Sequence, residues 1–204
     1  MIRVVDYGVG NIQAFLTIFK RLGLPAERAR QASDLADATR LILPGVGAFD
    51  TAMRKLNESG MRETLEDLVL TRQVPVLGVC VGMQMLAGGS DEGQLPGLNW
   101  IPGRVRAFAD HAASSSLPMP HMGWNDLHVQ EGHPLFRDFE PEPRFYFLHS
   151  FYFDCESREQ AVASASYGLV FDCIVSRGHV HGVQCHPEKS HHFGAQLLKN
   201  FATY

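Results

Sequence analysis

The sequence predicts an α/β fold: a doubly wound, mostly parallel sheet flanked by helices, with a β-rich antiparallel insertion, in a single domain over 1–204. Three observations predict it. Short apolar runs alternate with helical periods through the first half, which implies parallel strands joined by crossover helices. The second half loses that alternation and becomes rich in short strands around a Ser- and Pro-containing loop. No composition shift marks a linker and no internal repeat is present; one low-complexity patch covers 112–116.

Each element has its own signal. Residues 2–6 read as a strand, Tyr7-Gly8-Val9-Gly10 as a tight turn and Asn11 as an N-cap. Ile12, Phe15, Leu16, Phe19 and Leu22 recur at helical spacing, and Gly23 ends that helix. Leu41-Ile42-Leu43 is a short buried strand, followed by Pro44-Gly45-Val46-Gly47 and a helix ending near Gly60. A further short helix leads to a strand over 74–79. Residues 103–108 and 126–129 read as antiparallel strands, and the aromatic run 144–153 as one buried strand. Residues 168–176 and 179–186 predict a hairpin turning at Arg177-Gly178. Phe193, Leu197, Leu198 and Phe201 predict a C-terminal helix.

Composition narrows the function. A chain of 204 residues that is 45% hydrophobic and 20% charged can bury a core. A formal charge of −4 leaves no basic excess for neutralising phosphates, which disfavours nucleic acid as a partner. No apolar run reaches membrane-spanning length, and the N-terminal segment lacks a signal-peptide pattern. Cys80, Cys155, Cys173 and Cys185 form no CxxC pair and are expected to stay reduced, which suits a cytoplasmic protein. The Tyr7–Asn11 turn lacks the third glycine of a dinucleotide fingerprint, Gln13 standing in its place.

The chemistry concentrates on Gly78-Val79-Cys80-Val81-Gly82, a strand running into a turn with the form of a nucleophile elbow. Unpaired N–H groups and the dipole of the following helix favour a thiolate there. Taken alone, the stretch equally fits a structural cysteine between small packing residues. A base is available in Cys185-His186-Pro187-Glu188-Lys189. The proline biases His186 toward extended geometry, so His186 and Glu188 share a face and Cys185 turns into the core. That is the nucleophile–base–orienter logic of a triad: Cys80, His186 and Glu188. Taken alone, the Pro44–Gly47 loop reads as a simple strand-to-helix turn; beside the elbow, its accessible backbone N–H groups at Val46 and Gly47 would form an oxyanion hole with Val81 N–H. His191-His192 and His179-Val180-His181 read as solvated surface histidines rather than metal ligands.

Together, GVCVGMQ, PGVG and HPEKS, in that order over nearly the whole chain, resemble the class I, triad-type glutamine amidotransferases. Asp6-Tyr7-Gly8-Val9-Gly10-Asn11, Pro120-His121-Met122-Gly123-Trp124-Asn125 and Phe145-Tyr146-Phe147-Leu148-His149-Ser150 are similar to landmarks of those members that serve histidine biosynthesis. The resemblance implies one glutamine amidotransferase domain, glutamine as substrate, and no metal or organic cofactor. It implies that Gln84, Gly45, His149 and Ser150 hold the substrate. It further implies a heterodimer with a (β/α)₈ cyclase/synthase subunit that receives ammonia through a tunnel, faced by Asn11, Trp124, Tyr146 and Lys189. Two departures stand out: Cys185 replaces a common phenylalanine, and Phe151 a common tyrosine. Three alternatives stay open: a paralogous glutaminase aminating surface-polysaccharide sugars through a synthase-like partner, a non-catalytic binding module of the same fold, and a cysteine hydrolase acting on another amide or ester.

Overall fold

The computed structural model describes residues 1–140 and 142–204. Its spine is a parallel sheet of β2 (Ala26–Ala29), β1 (Ile2–Val5), β3 (Arg40–Gly45), β4 (Val76–Cys80) and β12 (Val180–Val183), in that order. Beyond β12 the sheet turns antiparallel through β11 (Leu169–Arg177), β10 (Ala161–Tyr167) and β7 (His128–Val129). A branch from β11 carries β9 (Phe151–Cys155) and β5 (Gly103–Ala107). A separate ribbon pairs β6 (His121–Asp126) with β8 (Arg144–His149). Helices α1 (Ile12–Arg21), α2 (Phe49–Glu58), α3 (Arg62–Glu66), α4 (Val81–Gln84) and α5 (His191–Thr203) complete it; α1 packs with α5, and α2 with α4.

The core forms where both sheet faces are covered. β3 is buried from Leu41 through Gly45 and β4 along its whole length, so both read as continuous apolar runs rather than alternating ones. Helix α1 turns Ile12, Phe15 and Phe19 inward. Asn11 caps it, its side chain accepting from Ala14 N–H at 3.2 Å. At the other end Gly23 adopts φ +69, while Leu24 N–H donates to Phe19 O and Gly23 N–H to Lys20 O, the paired bonds of a Schellman stop.

Several expectations needed correction. Strand β2, sequence AERA, carries two charged residues, and β10, AVASASY, is built from Ala and Ser. Neither has an apolar signature; each exists because a neighbouring strand offers it a ladder. The aromatic run 144–153 is two strands in different sheets, broken at Ser150. Phe145, Phe147, His149 and Phe153 are buried in one phase, with Phe151 only half-buried where the chain crosses from ribbon to sheet. Residues 103–107 pair with β9, not with the segment near 128, which pairs with β10. The hairpin turns at Gly178-His179, since Arg177 still pairs with Val180. Its second strand stops at Val183 rather than at His186.

Candidate active site

Cys80 ends β4 at φ 55, ψ −115 and is followed at once by α4. A side chain held at positive φ stores about 1–3 kcal/mol of strain, retained only where the surroundings enforce it. Here they do. A Cβ on Gly82 would sit 1.9 Å from Leu43 O, one on Gly45 2.4 Å from Gly82 N, and one on Gly78 2.6 Å from Gly82 O. The glycines around the cysteine therefore let the first turn of α4 lie directly on the backbones of β3 and β4. α4 itself is a single turn, shorter than the sequence implies. The chain folds back over its end, where Leu98, Asn99 and Trp100 N–H groups take the carbonyls of Met85, Ala87 and Leu86. The elbow thus presents local N–H groups rather than the field of a long helix.

Parallel pairing of β12 with β4 brings the base to the nucleophile: Val183 lies beside Val79, and the chain then carries Gln184 and His186 past Cys80. His186 Nδ1–H donates to Glu188 Oε1 at 2.8 Å, both side chains being nearly fully buried. The shared face arises from a 3₁₀ turn over Pro187–Lys189, not from continued strand. The His186 backbone is tied on both sides: its N–H donates to Tyr146 O at 2.9 Å and its O accepts from Ser190 Oγ–H at 2.6 Å, while Ser190 Oγ in turn accepts from Tyr146 N–H at 3.0 Å. Burial on its own would depress the His186 ring; hydrogen bonds to Cys80 and Glu188 outweigh it and raise the ring to about 10. A ring held up in this way can accept a proton from a neighbouring thiol. Cys185 is fully buried, and desolvation pushes its thiol up, as for Cys173. Cys80, Cys155, Cys173 and Cys185 are all free thiols.

A cavity of ≈ 300 Å³ opens over Cys80. Val46, Gly47, Val81, Gln84, His149, Ser150 and His186 line it. Gly45 lies beneath instead, paired with Cys80 in the β3–β4 ladder. Glu188 stands behind His186 rather than at the wall. Sequence reasoning missed Glu92, Pro120, Leu148 and Phe151, which also line the cavity, and Gln184, which is fully buried beside the sulfur. Glu92 Oε2 accepts from Phe49 N–H at 2.9 Å, so α2 holds this carboxylate at the cavity. The only sequence signal was an Asp91-Glu92 pair in a glycine-rich loop.

His149 Nδ1–H donates to Phe151 O at 2.8 Å, which leaves Nε2 to accept from His121 Nδ1–H at 2.9 Å. Asn125 Nδ2–H then donates to His121 Nε2 at 3.2 Å. This order of donors requires both rings to be neutral. Burial enforces it, pulling His121 down to about 4 and His149 down to about 3. Lys189 also lines the cavity, its Nζ 5.6 Å above the Tyr146 ring. Trp124, 42% exposed, meets Tyr146 edge-on and stacks at 4° on His191. Asn11 is spent on capping α1 and does not line the cavity. His181 is not a surface residue: it is buried, bonded to Ser176 and to the Tyr204 hydroxyl, while His191 and His192 are exposed as expected.

The comparisons with known proteins agree with this geometry. The profile of the family "Glutamine amidotransferase class-I" matches residues 3–203. A protein of Bdellovibrio bacteriovorus, "Imidazole glycerol phosphate synthase subunit HisH", is 59% identical, covering 99% of both chains. A namesake from Leptospira borgpetersenii is 46% identical over 100% of both, and "HisH 2" of Pseudomonas aeruginosa 44% over 98% of both. The fold matches a crystallised glutamine amidotransferase at TM-score 0.71 and 20% identity, over 97% of this chain and 98% of that one. With a cysteine on a glycine-packed elbow, a histidine held by a buried glutamate, and a family profile spanning nearly every residue, the chain belongs to the class I glutamine amidotransferases.

Proposed function

We propose that this chain is the glutaminase subunit of an imidazole glycerol phosphate synthase. It hydrolyses glutamine to glutamate and passes ammonia to a (β/α)₈ cyclase subunit that makes imidazole glycerol phosphate and AICAR in histidine biosynthesis. The observation that carries this reading is the meeting of Cys80 and His186 at one cavity, with Glu188 bonded behind the ring, in a chain 59% identical to a protein of that name.

His186 takes the Cys80 thiol proton, and the sulfur adds to the side-chain carbonyl of glutamine. The tetrahedral oxyanion is held by Val81 N–H and by the N–H groups of the Val46–Gly47 segment. His186 then gives its proton to the departing nitrogen, which leaves as ammonia with formation of a thioester. Water, deprotonated by the same ring, attacks the thioester; the C–S bond breaks, the sulfur regains its proton, and glutamate departs. Glu188 keeps Nδ1 protonated throughout and offsets the imidazolium charge. Gln84 and Ser150 hold the substrate, and the Glu92 carboxylate suits its α-ammonium. No redox step occurs and the base is a side chain, so the reaction calls on no cofactor.

Ammonia released into water would be protonated, and a covering partner prevents that. Met119, Met122, Trp124, Leu148 and Val46 are large, exposed apolar side chains, two of them on the cavity wall. This collar, with Tyr146, Lys189 and the N-terminal end of α1 at Asn11, is the surface we assign to the cyclase. Relatives numbered "HisH 1" and "HisH 2" favour a second reading in which a paralogous subunit serves another acceptor, such as a surface-polysaccharide sugar. Glutamate release measured with the cognate barrel separates catalysis from mere binding: wild type must exceed Cys80→Ser. Rescue of a histidine auxotroph then decides the acceptor; failure to rescue by an active pair would sink the histidine assignment.

A further inference from the structure

Gln184 is a fully buried polar side chain that the reaction as described does not use. Its partners fix which way its amide faces. Phe151 O is a carbonyl and can only accept, so the atom of Gln84 that meets it at 3.3 Å is Nε2. The same Nε2 donates to Gln184 Oε1 at 3.1 Å. Both hydrogens of that nitrogen are then engaged, and Gln84 Oε1 is left as the free acceptor of a cavity-lining residue. Because Gln184 Oε1 is turned to Gln84, its own Nε2 faces the nucleophile and donates to Cys80 Sγ at 3.8 Å. The far end of this thread is equally determined, since Phe151 O also takes the His149 Nδ1–H and His149 takes the His121 proton.

We propose that Gln184 is a positioning residue with two tasks: its N–H group stabilises the Cys80 sulfur as an anion, and its carbonyl oxygen locks the Gln84 amide with Oε1 turned toward substrate N–H groups. Its position makes both possible. The register that pairs Val183 with Val79 brings Gln184 alongside Cys80, and its backbone N–H donates to Cys173 O at 2.8 Å. His186 meets the sulfur with its ring, and Gln184 supplies a neutral donor beside it. A neutral donor is suited to this place because it stabilises the anion without holding a titratable proton that could quench it. The second task rests on the glutaminase reading; the first does not.

The experiment measures the sulfur without the substrate. Iodoacetamide alkylation of Cys80 is followed against pH in the full chain, with peptide mapping to separate it from the partly exposed Cys155. Gln184→Met keeps much of the shape and removes both hydrogen bonds; Gln184→Leu is the second variant. In either folded variant the midpoint of the Cys80 profile should rise by about one pH unit, with alkylation near neutrality about ten-fold slower. The groups facing the sulfur electrostatically, His186 with Glu188 behind it, Tyr7 and Cys185, are unchanged by these substitutions. KM for glutamine should rise several-fold as Gln84 loses its lock. In the wild type, with no variant needed, the Gln184 side-chain amide proton resonances should titrate with the same midpoint as alkylation. A profile superimposable on wild type, or amide resonances indifferent to the Cys80 midpoint, would overturn the proposal. Wild-type chain that alkylates as expected yet releases no glutamate with its barrel would instead overturn the glutaminase reading and leave the first task standing.

Discussion

Replacing Gly82 with alanine tests the elbow directly. The added Cβ would lie 1.9 Å from Leu43 O, whereas real Cβ contacts are not found below 3.0 Å, so the backbones must part by about 1 Å. Neither side yields easily: Leu43 is buried inside β3, between β1 and β4, and Gly82 is anchored in α4 two residues from the cysteine. The movement therefore falls on the first turn of α4, which carries Val81 N–H, the proposed oxyanion donor. Displacing a reacting group by ~1 Å costs on the order of 100-fold, and losing an oxyanion donor costs ~100–1000-fold. Glutamate release with the cognate barrel should thus fall by about 100-fold or more, chiefly in kcat. Forcing a methyl group into a packed site should also cost about 1–3 kcal/mol of stability. Gly23→Ala is the control: at φ +69 it suffers backbone strain of about 1–2 kcal/mol, but nothing lies within 4 Å and it sits beyond the end of α1. Thermal unfolding and kcat are measured for both. Should Gly82→Ala lose stability as Gly23→Ala does and still turn over at near wild-type rate, the claim that close glycine packing sets the nucleophile is wrong.

Other outcomes follow from the same geometry. Glu188→Gln should lower kcat by about 10²–10⁴-fold while leaving KM nearly unchanged, because His186 loses the anion that holds Nδ1–H and offsets its charge; a loss under ten-fold in steady-state assays would refute that role. Burial holds His181 down to about 3, so the folded ring stays neutral where the unfolded one takes a proton. That penalty is absent above an unfolded pKa of ~6.5 and grows as pH falls below it, reaching about 1.4 kcal/mol near pH 5.5. Urea unfolding at two pH values should therefore show a shallower acid decline in His181→Gln than in wild type; equal slopes would contradict it. His121 and His149 are depressed in the same direction and steepen the wild-type decline. Finally, Gly47 sits at φ +83 in the exposed Val46–Gly47 loop, where a peptide can rotate at small cost. If partner occupancy sets that peptide, the free subunit should hydrolyse glutamine far more slowly than the complex; full activity of the isolated chain would exclude such control.

The sequence by itself determined the chemistry, because that chemistry sits in short segments whose residue types are locally constrained. Only glycines admit a backbone as close as Leu43 O to Gly82, and the proline after His186 opens the 3₁₀ turn that brings Glu188 back to the ring. Cys80, His186 and Glu188 could therefore be named before any fold was known. The long-range partners were decided by the tertiary structure. Gln184 and Glu92 carry no local signature. One matters because β12 lies in register beside β4, the other because a loop is held against α2 by Phe49 N–H. The same holds for β2 and β10, whose charged or Ala/Ser-rich sequences become strands only when a neighbour supplies the ladder. His181 looked like a surface residue in an alternating hairpin and is buried because Tyr204, at the far end of the chain, closes over it. Local backbone sterics can be read along the chain; burial and partnership at a distance are properties of packing, and packing exists only once the chain has folded.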